Sequence, residues 1–231
     1  MKIVFLGDSL TLGTYGVNYV NLVAAALRGH HFINEGINGD TSLNLYRRLD
    51  RDVLAHQPDG VFVMVGINDA VSSSEPGSRR YFRLVKGIHG GQITPIAFRE
   101  NMRAILMALR VAQVQTWVAL PPVESRPSVV AALRQMNTSA LEVCQELHVP
   151  ALDLMARMTP ETIPDRPPVA AVPGLLRNMI RSLTLNASRY DQLQARGGYT
   201  YSFDGTHLTA QGAQQIADAV SQFLRANGVS G

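Results

Sequence analysis

The sequence predicts a three-layer α/β/α fold around a flavodoxin-like, five-stranded parallel sheet of order 2-1-3-4-5, on three observations. Apolar runs short enough to be strands alternate with helical-period segments along the chain; Val61-Phe62-Val63-Met64-Val65 is uninterrupted and rich in β-branched residues, as a strand buried on both faces is. Glycine- or serine-bearing turns follow the first three of these runs. The 231 residues, 46% of them hydrophobic, suffice for one such domain spanning 1–231, with two insertions at about 71–94 and 159–201.

In order, Lys2 to Leu6 is the first strand, and Gly7-Asp8-Ser9-Leu10 places a hydroxyl where it ends. Thr11 to Asn18 reads as turn, and Tyr19 to Leu27 as the first crossover helix, with Tyr19, Val20, Val23, Ala24 and Leu27 at helical spacing. Phe32-Ile33-Asn34 is a short second strand before the glycine-bearing loop 35–41. Thr41 or Ser42 caps the next helix, whose inward face is read as Leu45, Tyr46, Leu49, Val53 and Leu54.

After the third strand, Val71 to Thr94 is polar and reads as a long loop carrying the basic cluster Arg79, Arg80, Arg83 and Lys86. Thr94-Pro95 starts a helix with Phe98, Met102, Ile105, Leu106 and Leu109 inward, and Thr116 to Leu120 is the fourth strand. A long helix from Pro127 to Leu147 and a short strand from Val149 to Leu152 follow. The stretch from Thr159 to about Tyr201, including an amphipathic piece at Leu175 to Leu185, breaks the alternation. Thr209 caps a last helix, Ala210 to Ala226.

Parallel strands need right-handed helical crossovers, and ligands of such sheets bind outside the carboxyl ends near the switch point. In the order 2-1-3-4-5 the loops after strands one, two and three converge there, bringing Ser9, Gly39 and Asn68 to one spot. A serine hydroxyl is a poor nucleophile without an adjacent base. His207 can be that base, and Asp204, in Asp204-Gly205-Thr206-His207, can hold its other ring nitrogen. The backbone N–H groups of Ser9 and Gly39 and the Asn68 amide can receive a developing oxyanion.

At Gly7-Asp8-Ser9-Leu10, Gly39, Gly66-Ile67-Asn68-Asp69 and Asp204-Gly205-Thr206-His207 the sequence resembles the SGNH hydrolases, the GDSL family of esterases, lipases and thioesterases. The resemblance runs from residue 2 to the last helix. It implies Ser9 as nucleophile, His207 as base, Asp204 as its partner, and Ser9, Gly39 and Asn68 around the oxyanion. Leu208 departs from the pattern, since many members have proline after the histidine. The implied reaction is hydrolysis of small to medium carboxylic esters through an acyl-enzyme; thioesters, lysophospholipids, acetylated carbohydrates, or a silent binding domain on the same fold are the alternatives. The Arg79, Arg80, Arg83, Lys86 cluster is either a solvated face or a guide for an anionic substrate.

A formal net charge of +3 gives no basic stripe for nucleic acid. The six histidines show no His-Glu-x-x-His spacing and Cys144 has no second cysteine, so neither a metal, a cofactor nor a disulfide is expected. Gly36 to Thr41 lacks the endings of nucleotide-binding loops. The apolar run at the N-terminus is shorter than a signal-peptide core of roughly 7 to 15 residues, and none reaches the roughly 18 to 20 of a membrane span, from which a cytoplasmic location is expected. Oligomeric state is left open.

Overall fold

The computed structural model describes residues 1–164 and 187–230. Five strands, β1 (Lys2–Gly7), β2 (His31–Gly36), β3 (Gly60–Met64), β4 (Gln115–Leu120) and β5 (Ala151–Asp153), pair in the order β2-β1-β3-β4-β5, every pair parallel. β1 and β3 are the central strands, and Ile3 to Leu6 and Val61 to Met64 have essentially no exposure. Phe5 packs on Phe62 across the ladder with ring centroids 5.0 Å apart. Burial on both faces explains the unbroken apolar runs.

Helices cover both faces. Their order along the chain is α1 (Ser9–Leu12), α2 (Tyr19–Ala26), α3 (Ser42–Arg47), α4 (Leu49–Asp52), α5 (Ile67–Ser74), α6 (Arg79–Leu84), α7 (Pro95–Val111), α8 (Pro127–Leu147), α9 (Leu154–Met158), α10 (Ala187–Gly197) and α11 (Ala210–Ala226). α2 packs against α11, while α7 packs against both α3 and α8. α7 is capped by the Thr94 side chain, which accepts from Ala97 N, and α11 by Thr209, which accepts from Gly212 N.

Thr11 and Leu12, read as turn, complete a helical turn that opens at Ser9, because the Asp8 carboxylate caps it by accepting from Leu10 N at 3.0 Å. β2 is longer than Phe32–Asn34, since its ladder with β1 runs from Lys2↔His31 to Gly7↔Gly36. Tyr46 is 45% exposed, and the polar Arg48 is buried instead. The Arg48 guanidinium donates to the carbonyls of Gly7 and Glu35 and to Asp40 Oδ2, and the helix breaks where it turns in.

The polar stretch from Val71 to Thr94 is not a long loop. It finishes α5 and forms α6, flanked by single 3-10 turns at Pro76–Ser78 and His89–Gly91. The hydroxyls of Ser72, Ser74 and Ser78 fold back onto the carbonyls of Asp69, Ala70 and Glu75, so serines that read as loop formers satisfy themselves inside helical turns. Phe82, Ile88 and Ile93 anchor the stretch in the core. Within 159–201, residues 187–197 are helical, while the amphipathic piece Leu175 to Leu185 lies outside the described residues.

Candidate active site

β1 ends at Gly7, and α1 begins at Ser9, which is 7% exposed. From the far end of the chain, the irregular segment between α10 and α11 brings His207 to it. His207 Nε2 lies 3.0 Å from Ser9 Oγ, and His207 Nδ1 lies 2.8 Å from Asp204 Oδ2. The other carboxylate oxygen of Asp204 accepts from the backbone N–H groups of Thr206 at 3.1 Å and His207 at 2.8 Å, so the aspartate and the imidazole form one rigid turn. Tyr15 meets the imidazole edge-on at 5.2 Å and Phe203 stacks on it at 6.0 Å.

Gly39 sits in the loop after β2 with φ of +75°; a Cβ there would lie 2.3 Å from the Tyr81 hydroxyl and 2.8 Å from Lys86 Cε. Both backbone angle and space therefore call for glycine. Asn68, in the first turn of α5, donates from Nδ2 to Asp40 O at 3.0 Å and to Asp8 Oδ2 at 3.3 Å. Asp69 accepts from Ser42 N and from Ser42 Oγ at 2.6 Å, tying the start of α5 to the start of α3 and thereby the Asn68 loop to the Gly39 loop.

Ser9, Gly39, Asn68 and His207 share the wall of one cavity of about 140 Å³. Ile67, Val71, Phe82 and Val129 are its aliphatic and phenyl lining, and Tyr15 and Tyr81 also line it. The residues read from the sequence as nucleophile, base, base partner and oxyanion donors are thus together. The basic cluster is not: Arg79, Arg80 and Arg83 are exposed and are not among the residues lining the cavity, and Lys86 Nζ is 2.7 Å from Asp40 Oδ1. The sequence grouped them by proximity along the chain, but α6 sends the arginines to solvent, and the bend that follows it turns Lys86 inward.

Burial opposes charge on the imidazole of His207, but the charge and hydrogen bond of Asp204, with the charge of Asp8 behind them, outweigh it and raise its pKa above the ordinary histidine value. At Asp204 burial pushes upward, while the charge of His207 and the hydrogen bonds from His207 and Thr206 hold the carboxyl below the usual range. Burial raises Asp8 to about 6 and Asp69 to about 7, against the hydrogen bonds each accepts. Cys144 is buried, and burial alone raises its thiol to about 12, consistent with packing.

Tyr15, Tyr81, Asp40 and Arg48 were not singled out from the sequence. The glycine at 39 is the one sequence signal for Tyr81, because a residue without a side chain lets another group approach its backbone closely. Among the described residues no group of three or more His, Cys, Asp or Glu is placed to hold a metal, and no helix is long and apolar enough to cross a membrane.

A doubly wound sheet with a serine, a histidine and an aspartate joined by hydrogen bonds at its carboxyl edge is the architecture of one class of ester hydrolases. The chain belongs to the GDSL-like lipase/acylhydrolase family, whose model matches residues 5–215. An acetylxylan esterase of Geobacillus stearothermophilus is 36% identical over 86 residues, covering 29% of this chain and 39% of that protein, so the match spans well under half of the relative. Two solved structures share the fold: an acetyl xylan esterase (TM-score 0.64, 18% identity, 96% of this chain and 98% of that one) and a lipase/acylhydrolase from Enterococcus faecalis (TM-score 0.63, 22% identity, 98% and 96%).

Proposed function

We propose that this protein is a carboxylic ester hydrolase in which Ser9 is the nucleophile, His207 the general base, Asp204 its orienting partner, and Ser9 N, Gly39 N and Asn68 Nδ2 the oxyanion donors. The observation that carries the reading is the unbroken run of hydrogen bonds from Asp204 through His207 to Ser9 Oγ, opening on a cavity that Gly39 and Asn68 also line. The whole chain is read as one catalytic domain, since residues 5–215 match one family model and every proposed site residue sits around one sheet edge.

In the reaction, Ser9 Oγ attacks the acyl carbon while its proton passes to His207 Nε2, and the carbonyl oxygen becomes an oxyanion. Asp204 stabilises the imidazolium. Asn68 gives its shorter hydrogen bond to Asp40 O, and the hydrogen shared with Asp8 at 3.3 Å is the one that turns to the oxyanion. Collapse expels the alcohol, which takes the proton from His207; water, deprotonated by His207, then attacks the acyl carbon, and Ser9 Oγ leaves with the proton returned by His207 as the acid is released.

The lining of Ile67, Val71, Phe82 and Val129 suits small to medium acyl chains. Thioesterase and lysophospholipase readings lose the support of the arginines, which lie away from the cavity. Carbohydrate O-deacetylation is the second reading, favoured by the partial match to an acetylxylan esterase. Hydrolysis rates on p-nitrophenyl esters from acetyl to palmitoyl and on acetylated xylo-oligosaccharides, for wild type and Ser9→Ala, separate the two. Activity confined to the sugar acetates would replace the first by the second, and Ser9→Ala at wild-type rates would end both.

A further inference from the structure

The loop after β4 carries a carboxylate that the proposed chemistry does not use. Glu124 is 1% exposed, and five donors from one short segment converge on it. Oε1 accepts from Tyr201 N at 3.0 Å, Ser202 N at 2.8 Å and Ser202 Oγ at 2.7 Å. Oε2 accepts from Thr200 N at 2.7 Å and Thr200 Oγ1 at 2.6 Å. This segment leads directly into the turn that holds Asp204 and His207.

The connection continues into the turn itself. Ser202 Oγ, while donating to Glu124, accepts from Gly205 N at 2.9 Å, and the backbone N–H of Glu124 donates to Gly205 O at 3.0 Å. Gly205 therefore has both its peptide groups held from Glu124, one directly and one through Ser202. Its φ is +92°, and a Cβ there would come within 3.0 Å of Ser125 Cα, so the turn rests against the β4 loop at its middle residue. Ser9 is fixed to β1, whereas His207 belongs to an irregular segment held from two sides: Val17 N, in the loop after α1, donates to Leu208 O at 3.2 Å, and the β4 loop holds the other side through Glu124. The Glu124 side holds the turn itself, so it bears on the separation of the two.

We propose that Glu124 is a positioning residue: it fixes the Asp204–His207 turn to the end of β4 and so sets the distance from the imidazole to Ser9 Oγ. A carboxylate suits the task because both its oxygens accept, and all five groups at them are donors. Glutamine matches its size but presents an NH₂ to at least two of those donors, whichever way the amide is turned. Because Asp204 and His207 are bonded to each other within the turn, they shift together when the anchor fails. The proton transfer to Ser9 lengthens while the Asp204–His207 pair persists.

The inference rests on the Ser9–His207 reading above, and its test keeps the two apart. Glu124→Gln and Ser202→Ala are compared with wild type by kcat and KM on a p-nitrophenyl ester, per active site titrated with a serine-directed phosphonate, across pH. Positioning predicts a kcat lower by on the order of 10- to 100-fold in Glu124→Gln. It also predicts a smaller loss in Ser202→Ala, an acid limb of the pH profile that stays in place, and combined losses smaller than the product of the single ones. A purely structural Glu124 would lower the melting temperature and the titratable fraction but leave kcat per site at the wild-type value, which overturns the proposal. Should Glu124→Gln not fold, Ser202→Ala alone decides: normal kcat per site refutes positioning. A wild type inactive on every ester and unlabelled by the phosphonate refutes the esterase reading instead.

Discussion

Lys86 Nζ and Asp40 Oδ1 lie 2.7 Å apart, with both side chains almost wholly buried, and this pair fastens the bend after α6 to the loop that carries Gly39. Asn44 reinforces it by donating to Lys86 O at 2.9 Å. Substituting Lys86→Met removes one partner of Asp40 but leaves Arg48, 2.8 Å from the other carboxylate oxygen. The expected cost is therefore that of a charged hydrogen bond, about 1.5–3 kcal/mol, rather than of an orphaned buried charge. A melting temperature lower by several degrees is the outcome to look for, and an unchanged melt would show the pair to be idle.

At Gly39 the prediction is steric. Gly39→Ala must hold a side chain at φ of +75° and force the methyl against the Tyr81 hydroxyl, so the loop has to move and the proposed oxyanion N–H moves with it. Turnover should fall on the order of 100-fold, with the protein still folded. Adding Tyr81→Phe removes the 2.3 Å contact and should recover part of the loss. No recovery would mean that backbone strain or the 2.8 Å approach to Lys86 Cε, not the Tyr81 hydroxyl, is the cause.

Asn68→Ala should lower kcat on the order of 100- to 1,000-fold, the usual cost of one oxyanion donor. Asp204→Ala should cost less than His207→Ala or Ser9→Ala, because an orienting group is partly replaceable. Steady-state kinetics on one ester for the four variants checks both orderings, and near-normal activity in Asn68→Ala removes it from the oxyanion site.

The pH dependence follows from the charges around His207. A general base works only unprotonated, so a raised imidazole pKa moves the acid limb of kcat/KM to higher pH than an ordinary histidine gives. Asp8, with a pKa of about 6, contributes a negative charge that favours the imidazolium. Asp8→Asn deletes that charge, and the limb should move to lower pH; a limb that stays or moves upward contradicts the assignment.

Much of the fold was legible because its signals are local. Val61 to Val65 is apolar on both faces, and Phe98, Met102, Ile105 and Leu109 repeat at helical spacing, so strand and helix are written in consecutive residues. The clustering of Ser9, Gly39 and Asn68 followed from strand order alone. What escaped were features fixed by distant partners. The inward turn of Arg48 depends on carbonyls of β1 and β2, the helical state of residues 71–84 depends on serines bonding their own backbone, and Lys86 looked like one of four surface cations until Asp40 claimed it. Glu124 gave no sequence signal, since its donors lie some 76 residues further on.

The most direct test of the proposed chemistry is hydrolysis of p-nitrophenyl butyrate by wild type and Ser9→Ala, with mass spectrometry of both after exposure to a serine-directed phosphonate. Turnover and a single phosphonyl adduct on Ser9 in the wild type, both lost in Ser9→Ala, is the predicted result. Turnover retained by Ser9→Ala, or an adduct on another residue that abolishes activity, would contradict it.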